Sequence, residues 1–172
     1  MVTIRPEQPD DIPAVRRVHE RAFPTAAEAN LVDRLRRNGK AAVSLVAEAD
    51  SEIIGHILFS PVTFDPPTSV VAFGLAPMAV IPGNEKHGVG RRLVQNGLAE
   101  CHAHSACMVV VLGDPAYYGR FGFERASRHG LRNPFDVEED FMVFMLEAGA
   151  HPTPGTMVQY APEFEGLPPR CE

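Results

Sequence analysis

Cysteine is scarce in this chain: three among 172 residues, Cys101, Cys107 and Cys171. The number is odd and no two stand as C-x-x-C, which argues against a disulfide framework and a zinc ribbon and for reduced thiols in a cytoplasm. A basic excess is also lacking. Lys and Arg total 16 against 22 Asp and Glu, a net charge of -6. No nucleic-acid partner is therefore expected, since such affinity rests on a basic face; a cationic substrate would be weakly attracted. Long apolar runs are missing. The most apolar stretch, 70–82, is interrupted by Gly74, Pro77 and Pro82 and is too short to cross a bilayer. The first residues carry no apolar core behind a basic start, so neither a membrane partner nor a secretory leader is expected. Repeats and low-complexity tracts are absent as well. What remains, 45% apolar and 22% charged, is the balance of a folded domain long enough to bury a core unaided.

Periodicity orders the chain. Residues 2–5 suggest a strand. Asp10-Asp11 offers an N-cap, Pro13 fits a first helical turn, and Ile12, Val15, Val18 and Ala22 share one helical face that Pro24 ends. Thr25 to Glu28 has the capping-box pattern, and Leu31, Val32 and Leu35 form the stripe of a second helix stopped by Gly39. Residues 42–48, 52–64 and 70–80 then suggest an antiparallel meander, with Gly74 or Pro77 as the place for a bulge. Residues 88–104 return to helical spacing, and Gly97 within them suits a close helix–sheet contact. The apolar run 108–112 reads as a strand buried on both faces. One or two helical turns at 115–120 and strands at 123–126 and 141–147 follow. The last twenty-one residues hold five prolines and suggest an extended tail with one short strand at 156–160. A strand–helix–strand step inside a meander implies a mixed sheet covered by helices on both sides.

Two local features carry chemistry. In the first, a strand ending at Val80-Ile81-Pro82 runs through a turn into a helix opened by Gly88-Val89-Gly90. The two glycines present no side chain to an approaching ligand, and the first N–H groups of the helix have no intrahelical partner. The helix dipole favours an anion there, and Lys86, Arg91 and Arg92 add positive charge. The plainer reading is a tight strand–helix turn. It is neither a dinucleotide fingerprint, because residue 93 is Leu, nor a Walker loop, because no Gly-Lys-Ser/Thr follows. In the second feature the buried strand ends at Gly113 and Asp114-Pro115-Ala116-Tyr117-Tyr118-Gly119-Arg120-Phe121-Gly122-Phe123 follows. Ligands in sheets with parallel strands sit beyond the strands' carboxyl ends, where these two features would meet. Cys101, His102, His104 and Cys107 do not converge on a helix followed by a strand, so no metal is expected.

These residues resemble the GCN5-related N-acetyltransferases, abbreviated GNAT. The family pattern V-x-P-x-x-(Gln or Arg)-x-x-G-x-(Gly or Ala)-x-x-L is met by Val80, Pro82, Gly88, Gly90 and Leu93, and Tyr118 precedes Gly122-Phe123 as in Y-x-x-x-G-F. The second string looks like the YhbS-type branch, as do Ala22-Phe23 and the helix from Glu28 to Arg36. The likeness spans about residues 2–147. Glu85 stands where the family has Gln or Arg. A carboxylate beside a pyrophosphate is unfavourable, so Glu85 is expected to turn away or to pair with a basic neighbour. The family's asparagine after the buried strand is replaced by Asp114-Pro115.

The resemblance implies an α/β (α+β) fold. Its central sheet is mixed, twisted and mostly antiparallel, with helices on both faces and a V-shaped opening between two neighbouring parallel strands, 70–80 and 108–112. An acetyltransferase domain at 1–150 would be followed by a Pro-rich extension at 151–172. Acetyl-CoA would donate the acetyl group and no metal would be needed. The pantetheine arm would pair with Met78, Ala79 and Val80, and the pyrophosphate would sit on Lys86, His87, Gly88, Val89, Gly90 and Arg91, with Asp114 nearby. The acceptor would be a primary amine, on a small molecule or a peptide, attacking the acetyl carbon directly. Tyr118 would protonate the thiolate. Glu28 is the leading base, although its capping-box role is the plainer reading. His56 is another, its plainer reading a satisfied sheet histidine, and Asp114 a third. A cytoplasmic enzyme, open to homodimer formation, is the expectation. The alternative is an acyl-CoA-binding sensor or regulatory module on the same fold with little turnover.

Overall fold

The computed structural model describes residues 1–167, 170 and 171, the last by its backbone. The elements run β1 (Val2–Pro6), α1 (Ile12–Ala22), α2 (Ala27–Arg37), β2 (Val43–Ala49), β3 (Glu52–Asp65), β4 (Ala72–Val80), α3 (Val89–Ala103), β5 (Met108–Gly113), α4 (Pro115–Tyr118), β6 (Glu124–Arg125), β7 (Leu131–Arg132), β8 (Phe141–Met145), β9 (Thr156–Gln159) and β10 (Arg170–Cys171). The sheet order is β1-β2-β3-β4-β5-β8-β6. All neighbours on this path are antiparallel except β4 and β5, which run parallel. The expected meander is β2, β3 and β4.

The sheet is covered on both faces. Gly55 and Phe59 of β3 face α3: a Cβ on Gly55 would lie 3.1 Å from Leu93, and one on Gly97 would lie 2.4 Å from the Phe59 ring. Gly97 thus gives the close helix–sheet approach that its place in the sequence suggested. His56, between them, faces the opposite side and reaches His19 of α1. Val15 and Val18 of α1 and Leu31, Val32 and Leu35 of α2 are buried there, and each such side chain contributes about 1.5–3 kcal/mol. β5 is buried along its whole length, as its uninterrupted apolar run requires.

Two local features differ from expectation. The Thr25–Glu28 capping box does not form: Ala26 is the N-cap of α2, and the Thr25 hydroxyl accepts the Ala27 N–H at 3.3 Å instead. The helix begins one residue later, so Glu28 falls short of the third position that reciprocal capping needs. The Pro-rich segment is tied into the sheet at both ends. β9 pairs with the end of β3 and with β7, and β10 pairs in parallel with Leu112 and Gly113 of β5. Two-residue strands such as β7 and β10 carry no periodicity to find them by. No helix among the described residues is long and apolar enough to cross a membrane.

Candidate active site

The opening arises from a broken parallel pair. β4 and β5 are paired only from Ala72–Met108 to Gly74–Val110. β4 then carries one extra residue against β3, between the Phe59–Leu75 and Ile57–Met78 pairs. This bulge spans Ala76-Pro77, and bulges turn a strand. β4 diverges from β5 beyond it. Met78, Ala79 and Val80 pair with Ile57, His56 and Gly55 on one edge; on the other edge no strand pairs with them among the described residues. Such an edge is a template for an added extended chain.

A cleft of about 260 Å³ lies along that edge. Met78, Ala79 and Val80 form one wall, Gly90 and Glu85 one end, Tyr117 a second wall, and Ala22 with Phe23 the side toward α1. Gly88 caps α3 in the left-handed conformation, φ 72°, which a side chain would resist. The N–H groups of Val89, Gly90 and Arg91 begin the helix, and the first backbone bond back to Gly88 is made by Arg92 at 3.1 Å. Gly90 is needed for space: a Cβ there would lie 2.8 Å from the Tyr117 hydroxyl. Val89 offers only its backbone, since its side chain is buried against Gly55.

The charged residues of the loop divide. Lys86, His87 and Arg91 are exposed. Arg92 reaches away and donates to the Val2 carbonyl at 2.5 Å, so its charge serves β1. Glu85 folds back on its own turn. Its carboxylate accepts the Gly83 N–H at 2.7 Å, and its own N–H followed by that of Gly83 holds it below the usual carboxylate range.

The structure separates the two tyrosines. Tyr118 is fully buried; its ring is edge-on to Tyr117 at 5.0 Å and to Phe123 at 5.5 Å. Tyr117 is the tyrosine that lines the cleft, with Arg120 over its ring at 4.7 Å. Asp114 caps α4, accepting the Ala116 N–H at 2.9 Å. Glu28 is half-buried and does not line the cleft, and its Oε2 has no hydrogen-bond partner among the described residues. His56 and His19, by contrast, form a buried pair 2.8 Å apart. Sequence reading weighed His56 alone and missed His19, whose one signal was an imidazole on the apolar face of α1.

The family model for the acetyltransferase (GNAT) domain matches residues 3–126. The chain belongs to the GNAT acetyltransferase family. It is 38% identical over 163 residues to the uncharacterized N-acetyltransferase YhbS of Escherichia coli K12, covering 94% of this chain and 97% of that protein. A second relative from the same strain, YjhQ, is 38% identical over 137 residues, 76% of this chain and 74% of the relative. Among solved structures, Escherichia coli YhbS in complex with CoA superposes with a TM-score of 0.91 at 36% identity, covering 98% of this chain and 94% of that one. A GNAT family acetyltransferase from Brucella melitensis in complex with acetyl-CoA gives 0.79 at 32% identity, covering 95% and 98%. The GNAT fold expected from the two motifs is the fold observed, parallel β4–β5 pair included.

Proposed function

We propose that this GNAT protein transfers an acetyl group from acetyl-CoA to a primary amine, on a small molecule or a peptide, by direct attack in the cleft along the unpaired edge of β4. The observation that carries the reading is the meeting of an unpaired β4 edge and a glycine-opened helix N-terminus on one cleft. The edge suits the amide-bearing pantetheine arm. The N–H groups of Val89, Gly90 and Arg91 suit a pyrophosphate, helped by the exposed Lys86, His87 and Arg91. Two similar proteins were crystallised with CoA and acetyl-CoA. No metal has a part in the proposal. A cytoplasmic location is supported by the free thiols of Cys101 and Cys107.

The amine attacks the acetyl carbon, the C–S bond breaks, and a tyrosine protonates the leaving thiolate. Tyr118 holds this role by its place in the Y-x-x-x-G-F motif. A second assignment, Tyr117, is favoured by its position on the cleft wall. Turnover distinguishes the enzyme from a sensor on the same fold. A panel of primary amines with acetyl-CoA, read by thiol release, should show amine-dependent CoA formation. Binding of acetyl-CoA without release on any amine would favour the sensor.

A further inference from the structure

Four polar side chains distant in sequence meet beneath the cleft. Glu7 follows β1, His19 lies on the buried face of α1, Ser44 is on β2, and His56 is on β3 opposite Ala79. Both histidines are fully buried. His56 Nδ1 lies 2.8 Å from His19 Nε2. His56 Nε2 lies 2.8 Å from Ser44 Oγ and 3.4 Å from Glu7 Oε2. Ser44 Oγ also bonds Glu7 Oε2, and Arg36 pairs with Glu7 Oε1.

Valence fixes the protons. An ionised Glu7 can only accept, so the one hydroxyl proton of Ser44 points to it. Ser44 Oγ must then accept from His56, which places the His56 proton on Nε2. A neutral His56 therefore offers a lone pair at Nδ1, and His19 must meet it with an Nε2–H. The remaining nitrogen, His19 Nδ1, is a bare lone pair. It is buried and has no hydrogen-bond partner among the described residues. Buried polar atoms left in this state are rare and call for a cause. The ring stacks on Phe23 with centroids 6.0 Å apart and planes 5° from parallel, and Phe23 lines the cleft.

We propose that His19 Nδ1 accepts the proton released by the acceptor amine, reached from the cleft through one water, with Glu7, Ser44 and His56 as positioning residues that fix its tautomer and share its charge. This rests on the acetyltransferase reading. An ammonium must lose two protons to become an amide nitrogen. One ends on the CoA sulfur as the C–N bond forms and the C–S bond breaks. His19 holds the other until CoA departs and the cleft opens to water. The arrangement is that of a carboxylate orienting an imidazole base, extended by one ring.

Burial first, helped by the charge of Arg36, keeps His19 well below the ordinary histidine range, so its imidazole is neutral at pH 7 and its Nδ1 lone pair is unprotonated. Burial lowers His56 in the same way, and there the bond from Glu7 and its charge act in the opposite direction. The surrounding charged groups come from few elements. α2 carries Glu28, Asp33, Arg34, Arg36 and Arg37, of which Arg36 is the one paired with Glu7, and Asp33 bonds Arg36 at 2.9 Å. β4 carries no titratable residue, and α3 lies on the far face of the sheet.

The test uses the intact protein. Nitrogen-15 NMR of the wild type at pH 8 should show protons on Nε2 of both histidines and none on His19 Nδ1, whose shift should move when CoA is added. A proton on Nδ1, or no response to CoA, overturns the proposal even if His19 variants fail to fold. With an amine that supports thiol release, kcat/KM should fall on an acid limb. His19→Gln should remove that limb and lower kcat at neutral pH roughly a hundredfold or more, with acetyl-CoA stabilisation in a melt unchanged. Glu7→Gln should move the limb to lower pH, since the charge that supports the imidazolium is gone. A purely structural cluster would change melting temperature and leave the limb in place. An active wild type whose His19→Gln variant keeps rate and limb, or whose limb is lost in Glu28→Gln, overturns the proposal and leaves the acetyltransferase reading standing. A wild type with no turnover on any amine defeats the reading and the proposal together.

Discussion

Replacing Gly97 by Ala adds one methyl group at the most crowded point between α3 and the sheet. Helix propensity alone makes the change favourable by about 1 kcal/mol. The packing opposes it. The new Cβ would lie 2.4 Å from Phe59 Cε2 and 2.5 Å from Cζ, about 1 Å inside the 3.4 Å at which ordinary contact begins. Phe59 is fully buried and its rigid ring has no solvent to swing into, so either the ring leaves its rotamer or α3 lifts. Overpacking of this kind costs typically 1–3 kcal/mol, and the size of the overlap places this case near the top. The net destabilisation should be about 1–2 kcal/mol, a loss of roughly 2–8 °C in Tm for a domain of this size. A double-mutant cycle isolates the contact. Phe59→Leu destabilises by itself, but Gly97→Ala placed on top should cost little or stabilise, a coupling of at least about 1 kcal/mol. A lifted α3 also moves the N–H groups of Val89, Gly90 and Arg91, so KM for acetyl-CoA should rise more than kcat falls. Thermal melts of the four proteins decide the matter. A higher Tm in Gly97→Ala, by the 2–4 °C that propensity alone would give, would refute the reasoning.

Acetyl-CoA at about 100 times its Kd should stabilise the protein by roughly 2.7 kcal/mol, about 5–11 °C in a melt; no shift with either acetyl-CoA or CoA would contradict the cleft assignment. Glu85→Gln removes a charge beside the proposed pyrophosphate site and keeps an acceptor for the Gly83 N–H, so CoA should bind modestly tighter, more so at low salt; weaker binding would mean the carboxylate itself is needed to hold the turn. Tyr118→Phe should lower kcat about ten- to a hundredfold with KM for acetyl-CoA nearly unchanged, because the thiolate leaves with little help; full kcat in Tyr118→Phe with loss in Tyr117→Phe moves the acid to the cleft wall. Burial raises the Glu7 pKa, but bonds from His56 and Ser44 and the charge of Arg36 outweigh it and set the value at about 2. A depressed carboxylate contributes stability above its unfolded value, 4.5, and loses it as pH falls toward 2. Glu7→Gln should therefore flatten the decline of Tm across that window, and an unchanged slope would show that Glu7 is not ion-paired in the fold.

The sequence by itself determined what depends on near neighbours in the chain. Spacing of Val15, Val18, Leu31 and Leu35 set the buried faces of α1 and α2, the run 108–112 set β5, and Gly88 with Gly90 set the opened start of α3. The family likeness followed from the same local strings, and with it the split sheet. Contacts across the chain were decided only by tertiary structure. Thr25 and Glu28 have the capping-box pattern, yet the entry from α1 starts the helix one residue late. Adjacent residues Tyr117 and Tyr118 are alike in sequence, and the direction of a single helical turn puts one on the cleft and the other in the core. His19 and His56 are 37 positions apart. One lies on a helix and the other on a strand, and no periodicity of either element announces a partner on the other. Packing of α1 on β3 brings their rings together, because two buried polar groups cost least when each satisfies the other.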